Sequence, residues 1–183
     1  QNELKSKNLI ISKFVKQQGI IPFYLNKKED FFIKDQKYTI KKFKTDLLVR
    51  SYPYGKSQSS TYIDFIDDKV WFGSAKGTFG YFDYSKSYEK KFTSTLVQSN
   101  IDSLIQQDNF FLDKSEYGIK DILINEGKIY VSYTREIKKD CFNISILSAD
   151  LDEENLKFDL LFQPKDCVNK INDRNNYHAI QSG

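Results

Sequence analysis

The chain has 183 residues and a formal net charge of +3, and no apolar stretch approaches the roughly 20 residues that a membrane-spanning helix needs. Its lysine pairs stand close to acidic residues instead of collecting on one face beside stacking aromatics. We therefore predict neither a membrane span nor a nucleic-acid partner. Aromatic residues make up 15% of the sequence and favour sheet over helix, so the predicted fold class is all-β.

The first 50 residues are predicted to be an N-terminal extension. In residues 1–18 the apolar side chains have helical spacing, which indicates a short amphipathic helix or, equally, a tail. Residues 31–50 are predicted to form one or two strands.

Residues 51–99 are predicted to form a four-stranded unit. Its strands are separated by turns rich in Asp, Gly and Ser, and they are expected at residues 62–66, 69–73, 79–84 and 92–97. Residues 100–118 form a connecting segment with one or two helical turns over residues 100–107, for which Asn100 would be the N-cap.

Residues 119–165 repeat the same order of strands, expected at residues 120–125, 128–132, 142–149 and 156–162. Each unit opens with a hairpin on a short acidic turn, Asp67-Asp68 in the first and Glu126-Gly127 in the second. Tyr130 follows Trp71 by 59 residues at the same place in the hairpin. A repeated four-stranded unit is typical of propeller blades, whereas a β-sandwich does not predict the repeat.

The sequence thus predicts a partial β-propeller of two four-stranded antiparallel blades, with a short N-terminal helix or tail. The strands of residues 31–50 would contribute to the blade that closes the ring, and residues 166–183 would lead into a truncated third blade. The chain contains no methionine and stops in polar, loop-like residues, so we expect it to be an N-terminal fragment of a longer protein.

Two cysteines, Cys141 and Cys167, stand at the start of one predicted strand and just past the end of the next. Antiparallel neighbours would bring them to the same edge of a sheet, where they are either a disulfide or two free thiols. A disulfide would indicate an oxidising compartment, which for this chain means a periplasmic or extracellular location.

The first strand of each propeller blade lines the central channel, so the loops that lead into those strands meet around the axis. These leading loops are residues 57–60, 115–118 and 177–183. They carry the polar residues Gln58, Glu116, His178 and Gln181. His178 is the candidate catalytic residue, because it is the single histidine and imidazole takes or gives a proton near neutral pH.

Three runs of sequence resemble the glucose/sorbosone dehydrogenase family. They are Gly-Ile-Lys-Asp-Ile-Leu-Ile at residues 118–124, Lys-Ile-Tyr-Val-Ser-Tyr-Thr at 128–134, and His-Ala-Ile-Gln-Ser-Gly at 178–183. Members of this family are soluble six-bladed propellers that bind pyrroloquinoline quinone. The resemblance covers about residues 55–183. It implies a six-bladed ring, a sugar substrate, and pyrroloquinoline quinone and calcium as cofactors.

The resemblance also implies roles for particular residues. His178 is similar to the family's general base, which removes the sugar hydroxyl proton as hydride passes to the quinone. Glu116 is similar to a residue, commonly glutamine, that helps to hold the quinone, and Gln181 belongs to the same cofactor-binding run as His178. Tyr177 stands where the family often has an acidic residue. The family's calcium ligands lie in later blades, so no metal ligand is predicted within this chain.

A second class of function stays open. A non-catalytic propeller would bind carbohydrate or a protein partner on the same face, with Trp71 and surface tyrosines as contacts. A purely structural extracellular repeat module is a third interpretation.

Overall fold

The structure, a computed structural model, describes residues 20–45, 61–105 and 118–176. The predicted N-terminal helix or tail lies outside these ranges. The described chain is nearly all β, with a 3-10 helix (Tyr84–Tyr88), a short α-helix, α1 (Ile101–Ile105), and helical residues at 174–176. Within these ranges, no helix has the length and apolar character needed to cross a membrane.

The strands form two sheets. The first contains β1 (Ile20–Ile33), β2 (Gln36–Thr45), β3 (Thr61–Ile66), β4 (Lys69–Ser74), β5 (Phe79–Asp83) and β6 (Lys91–Ser99) in the spatial order β2-β1-β6-β5-β4-β3. The second contains β7 (Gly118–Asn125), β8 (Lys128–Lys138), β9 (Cys141–Asp150), β11 (Asp159–Phe162) and β12 (Val168–Asn169). The two-residue strand β10 (Asn155–Leu156) lies between β9 and β11 in the chain but belongs to the first sheet. The order of the second sheet is β11-β9-β8-β7, and β12 also pairs with β9.

The predicted all-β class and the four-strand order of the first unit are both present. Strands β3 to β6 form a continuous antiparallel meander. The hairpin turns contain backbone in the left-handed region, at Asp67 (φ 50°), Glu126 (φ 50°) and Gly127 (φ 73°), as tight hairpins require. The arrangement of the two units as propeller blades stays a prediction.

The central strand β4 is buried on both faces. Val70, Trp71 and Phe72 follow one another in the strand and all three are buried, although successive side chains point to opposite faces. The face that carries Trp71 packs on the second sheet in one core, which also contains Phe79, Val97, Ile122, Ile129, Leu147 and Phe158.

The opposite face of the first sheet is covered by the sheet's own curl. Beyond the four predicted strands, β1 pairs with β6 and β2 pairs with β1. Phe23 of β1 stacks on Phe92 with 4.8 Å between ring centroids, and Phe43 of β2 meets Phe92 edge-on at 4.7 Å. Of the predicted range 31–50, the structure describes the end of β1 and all of β2, whereas the part of β1 that pairs with β6, Ile20 to Tyr24, precedes that range.

The predicted fourth strand of the second unit, residues 156–162, is divided. β10 pairs in parallel with β6 of the first sheet, whereas β11 pairs with β9. The division leaves Leu156 and Phe158 buried between the sheets. A single strand of the second sheet could not hold both pairings, so this unit departs from the predicted form.

Asn100 fastens the divided segment to the first sheet. Its Nδ2 donates to the Phe158 carbonyl oxygen (3.0 Å), and its Oδ1 accepts from the Phe158 N–H (2.8 Å). The Asn100 carbonyl oxygen accepts from the Leu104 N–H, so the residue does begin α1. Asn100 thus occupies the predicted N-cap position, while its side chain bonds the Phe158 backbone.

Cys141 and Cys167 form a disulfide, with 5.3 Å between their Cα atoms. Cys141 opens β9, and Cys167 directly precedes β12, which pairs antiparallel with the start of β9. Of the two alternatives that the sequence left open, the structure contains the disulfide. It ties the chain after β11 back to β9.

Reduction of this disulfide should lower the free energy of unfolding by about 2 to 4 kcal/mol, because the unfolded chain gains the freedom of an opened loop. Urea unfolding with and without a reductant measures the change. The double variant Cys141→Ser/Cys167→Ser should be equally destabilised and should not respond to the reductant. A wild-type midpoint that is unchanged by reduction would contradict the expectation.

Gly80 is predicted to tolerate no side chain. A Cβ there would lie 2.5 Å from both the Phe72 ring and the Thr95 carbonyl oxygen. Gly80→Ala should therefore lower the free energy of unfolding by about 1 to 3 kcal/mol, as overpacking does. Gly127→Asn is the control, because no atom lies within 4 Å of its Cβ position and asparagine accepts left-handed backbone. Equal urea midpoints for both variants would refute the expectation.

Candidate functional site

The site residues predicted from sequence, Glu116, His178 and Gln181, lie outside the described residues, as does Gln58. The structure describes the strands into which two of the leading loops run, β3 and β7. The position of these two strands is the basis for a candidate site.

The starts of β3 and β7 lie at the same end of the molecule. Thr61, the first residue of β3, pairs with Ser74 of β4. The carbonyl oxygen of Ala75, the residue after Ser74, accepts a hydrogen bond from the Ile119 N–H of β7 (2.9 Å). Further along, the Asp64 carboxylate of β3 accepts from the Ile124 N–H of β7 (2.5 Å). The two strands thus run side by side in the same direction, and their starts lie at one end, named here the leading end.

Buried polar side chains collect at the leading end. Ser74, Lys76 and Thr78 belong to the end of β4 and to the turn that follows it. Lys120 lies near the start of β7, and Thr134 lies in β8. Gly118 pairs with Thr134, so this part of β8 lies beside the start of β7. Polar groups are costly to bury, so a cluster of five in one place is a candidate for function.

The turn that carries Lys76 is closed by three hydrogen bonds. The Ser74 N–H donates to the Thr78 carbonyl oxygen (2.8 Å), and the Thr78 N–H donates to the Ser74 hydroxyl oxygen (2.9 Å). The Gly77 N–H donates to the Ser74 carbonyl oxygen (2.9 Å). Gly77 has a φ of 80°, which is accessible to glycine at little cost. The turn holds the wholly buried Lys76 in place.

Lys120 is turned inward by a β-bulge. The pairing of β7 with β8 passes from Ile119–Tyr133 to Asp121–Ser132 and skips Lys120. As a result Ile119 and Lys120 are both buried, and the normal alternation resumes at the exposed Asp121. Lys120 is 7% exposed, and its burial lowers the pKa of the amine to about 8.

Sequence reasoning missed Lys120, although a signal was present. Ile119, Ile122 and Ile124 all face the core, and the first two are three residues apart, which breaks the two-residue period of a strand. That irregular spacing indicates a bulge. A lysine amine with a pKa near 8 is partly neutral at physiological pH, so it can serve as a base or as a cation for an anionic ligand.

A concave region lies at the opposite end of the sheets, where β3 and β5 finish. It has a volume of about 380 Å³ and is lined by Ile66, Asp67, Asp68, Lys69, Trp71, Asp83, Leu151 and Glu153. Its one lysine forms an ion pair with Glu153 and lies over the Tyr81 ring. The hydrogen bond from Lys69 lowers the pKa of the Glu153 carboxyl. The region is therefore an acidic cleft whose cation is engaged.

Trp71 does not fit the role of an exposed binding residue. Its side chain is 1% exposed and belongs to the core between the sheets. The predicted use of Trp71 as a ligand contact is wrong, because β4 is a central strand covered on both faces. Its indole Nε1 has no hydrogen-bond partner among the described residues.

The described residues contain no group of three or more His, Cys, Asp or Glu side chains that could hold a metal ion. The chemistry of the leading end is instead that of two amines and three hydroxyls. Such a donor set suits negatively charged or multiply hydroxylated ligands.

The free energy of unfolding should depend on pH through Lys120. Well below pH 8 the Lys120 amine is charged in both the folded and the unfolded state, and the folded state bears the cost of burying the charge. Between pH 8 and the unfolded value near 10.4, the folded state loses its proton first, so stability should rise with pH by up to about 3 kcal/mol. Urea unfolding from pH 7 to 10 measures this rise.

Lys120→Met should be more stable than the wild type at pH 7 and should lose this rise with pH. Lys165→Met is the control, because Lys165 is exposed and should keep the wild-type pH dependence. If Lys120→Met and the wild type had parallel pH profiles, burial of the Lys120 charge would not be the cause.

Comparisons with protein families, with curated proteins and with solved structures found no match to this chain. The case for a function therefore depends on the geometry of the leading end and on the resemblance carried by residues 118–134 and 178–183. The first of these two runs forms β7 and the beginning of β8, which border the buried amines.

Proposed function

We propose that this chain is part of a quinone-dependent sugar dehydrogenase of the glucose/sorbosone type, with His178 as the general base. The observation that carries the proposal is the meeting of the starts of β3 and β7 at one end, beside the buried amines of Lys76 and Lys120. In the proposed six-bladed ring, this end surrounds the axis. In the sequence, Glu116 stands two residues before the start of β7.

The amines at the leading end are compatible with an anionic cofactor. Pyrroloquinoline quinone carries carboxylates, and nearby cations favour such groups in their ionised form. An ionised Glu116 beside the quinone would repel it, so the positive charge of Lys120 or Lys76 would offset that repulsion. Calcium enters the proposal through the resemblance alone.

The proposed reaction is the oxidation of a sugar hydroxyl. When bound, the quinone supplies the hydride acceptor. The alcohol carbon gives up a hydride, its hydroxyl gives up a proton to the His178 imidazole, and a carbonyl forms. Glu116 and Gln181 would contact the cofactor. The hydroxyls of Ser74, Thr78 and Thr134 are part of the buried polar surroundings from which water is largely excluded.

The disulfide supports a location for this activity. A Cys141–Cys167 bond persists in oxidising compartments and is rare where thiols are kept reduced. We therefore propose a periplasmic or extracellular protein.

A non-catalytic binding protein is the second candidate, and exposed apolar side chains favour it. Phe32 is 69% exposed, Tyr88 is 79% exposed, and Phe65 is 59% exposed. These residues, and not the buried Trp71, would contact the ligand. Carbohydrate or a protein would be the ligand.

The complete natural protein, supplied with pyrroloquinoline quinone and calcium, should change the absorbance of the quinone and reduce a redox dye with at least one aldose. His178→Asn should keep quinone binding but lose about a hundredfold or more of the dye reduction rate. Asn175→Ala, an exposed residue in the same tail, should keep the wild-type rate.

Two results would reject the dehydrogenase. One is an unchanged quinone spectrum together with no dye reduction across a panel of aldoses. The other is a His178→Asn variant with the full rate. Saccharide or protein binding measured by calorimetry in the absence of dye reduction would favour the non-catalytic candidate.

A further inference from the structure

The β1–β2 hairpin projects from the first sheet. β1 pairs with β6 only from Ile20 to Tyr24, whereas its pairing with β2 continues to Ile33. Among the described residues, one further backbone hydrogen bond, from the Leu25 N–H to the Lys90 carbonyl oxygen (2.8 Å), joins β1 to the sheet. Residues 25–43 are therefore a two-stranded ribbon, named here the arm. Two strands alone are marginally stable in water, so a partner would stabilise the arm.

One face of the arm is apolar toward its tip. Residues directly opposite each other in an antiparallel pair share a face, and Phe31 is opposite Tyr38 with 5.4 Å between their ring centroids. The exposed fractions of the apolar side chains on this face are 37% for Phe31, 51% for Ile33, 41% for Tyr38 and 45% for Ile40. The sheet leaves this strip uncovered among the described residues.

The arm is positively charged. It contains six lysines and three acidic residues, a net charge of +3, which equals the net charge of the whole chain. Two of its three acidic side chains are engaged within the arm, since Glu29 pairs with Lys27 and Lys42, and Asp30 pairs with Lys37. β2 itself has four lysines and no acidic residue.

β2 is also an edge strand. Among the described residues it pairs with β1 and with no other strand, so every second residue has its N–H and C=O pointing outward. An open edge is a template for an added strand. Its flanking side chains alternate, with Tyr38, Ile40 and Lys42 on one face.

We propose that the edge of β2 binds an extended, acidic segment of another protein as an additional strand. Backbone hydrogen bonds would join the segment to β2, its apolar side chains would cover Tyr38 and Ile40, and its carboxylates would meet the lysines of the arm. This interaction goes beyond the proposed dehydrogenase activity and does not depend on it.

Two other occupants fit the arm less well. A second copy paired through its own β2 would bring lysines opposite lysines, which is destabilising. A nucleic acid would match the charge but offers no backbone donors for a strand edge. In addition, the Phe31 and Tyr38 rings stack on each other, so each ring has one face already covered.

Peptides test the proposal directly. A labelled peptide that alternates glutamate with valine and matches the 10 residues of β2 should bind the full chain in a fluorescence anisotropy titration, more weakly as salt rises. A peptide with lysine in place of glutamate should not bind. A third peptide, with proline at alternate positions, lacks the backbone donors and should not bind either.

Variants locate the site on the arm. Ile40→Thr and Lys42→Glu should each weaken binding of the acidic peptide about tenfold, whereas Lys165→Glu, the same charge change on an exposed loop of the second sheet, should leave it unchanged. Unfolding midpoints of the variants establish that they are folded. The comparison of the three peptides on the wild-type chain stands even where a variant fails to fold.

Several outcomes would overturn the proposal. One is the absence of peptide binding, and another is equal binding of the lysine or proline peptide. Concentration-dependent dimerisation that Ile40→Thr abolishes would assign the edge to a second copy. Tighter binding of duplex DNA than of the acidic peptide would assign the arm to nucleic acid.

Discussion

The central strands of the first sheet carry large apolar side chains on both faces, and both faces have to be removed from water. Val70 and Phe72 point one way from β4 and Trp71 points the other. A single sheet can cover one such face by packing on a second layer, and that is what the second sheet does for Trp71. The other face is covered because the first sheet curls and is extended by β1 and β2.

The join between the two sheets explains where the second unit departs from the first. Leu156 and Phe158 enter the core between the sheets, and the chain that carries them pairs for two residues with β6. The Phe158 backbone then bonds the Asn100 side chain, and only from Asp159 does the chain return to β9. The two units thus share a strand pairing, which gives them one common core.

This arrangement also positions the chemistry. Because β3 and β7 lie side by side, the turn after β4 and the bulge of β7 bring Lys76 and Lys120 to the same end. The acidic cleft lies at the other end. The described residues therefore place buried amines at one end of the sheets and carboxylates at the other. The arm, which leaves the sheet beside the start of β6, is a third feature and needs none of the residues of the leading end.

The sequence by itself determined the local features of this protein. Strand boundaries in the two opening hairpins were predicted to within one or two residues, except that β8 continues to Lys138, six residues past its predicted end. Alternating apolar side chains and tight acidic turns depend on near neighbours, which is why these boundaries could be predicted. The sequence also limited the state of Cys141 and Cys167 to two alternatives, a disulfide or two free thiols. Only the tertiary structure decided which strands pair across long distances: the attachment of β1 to β6, the division of residues 156–162, and the use of the Asn100 side chain. It also decided that Trp71 is buried and that Lys120 turns inward. These outcomes depend on which apolar surfaces must be covered, and that is a property of the whole core and not of any short stretch of sequence.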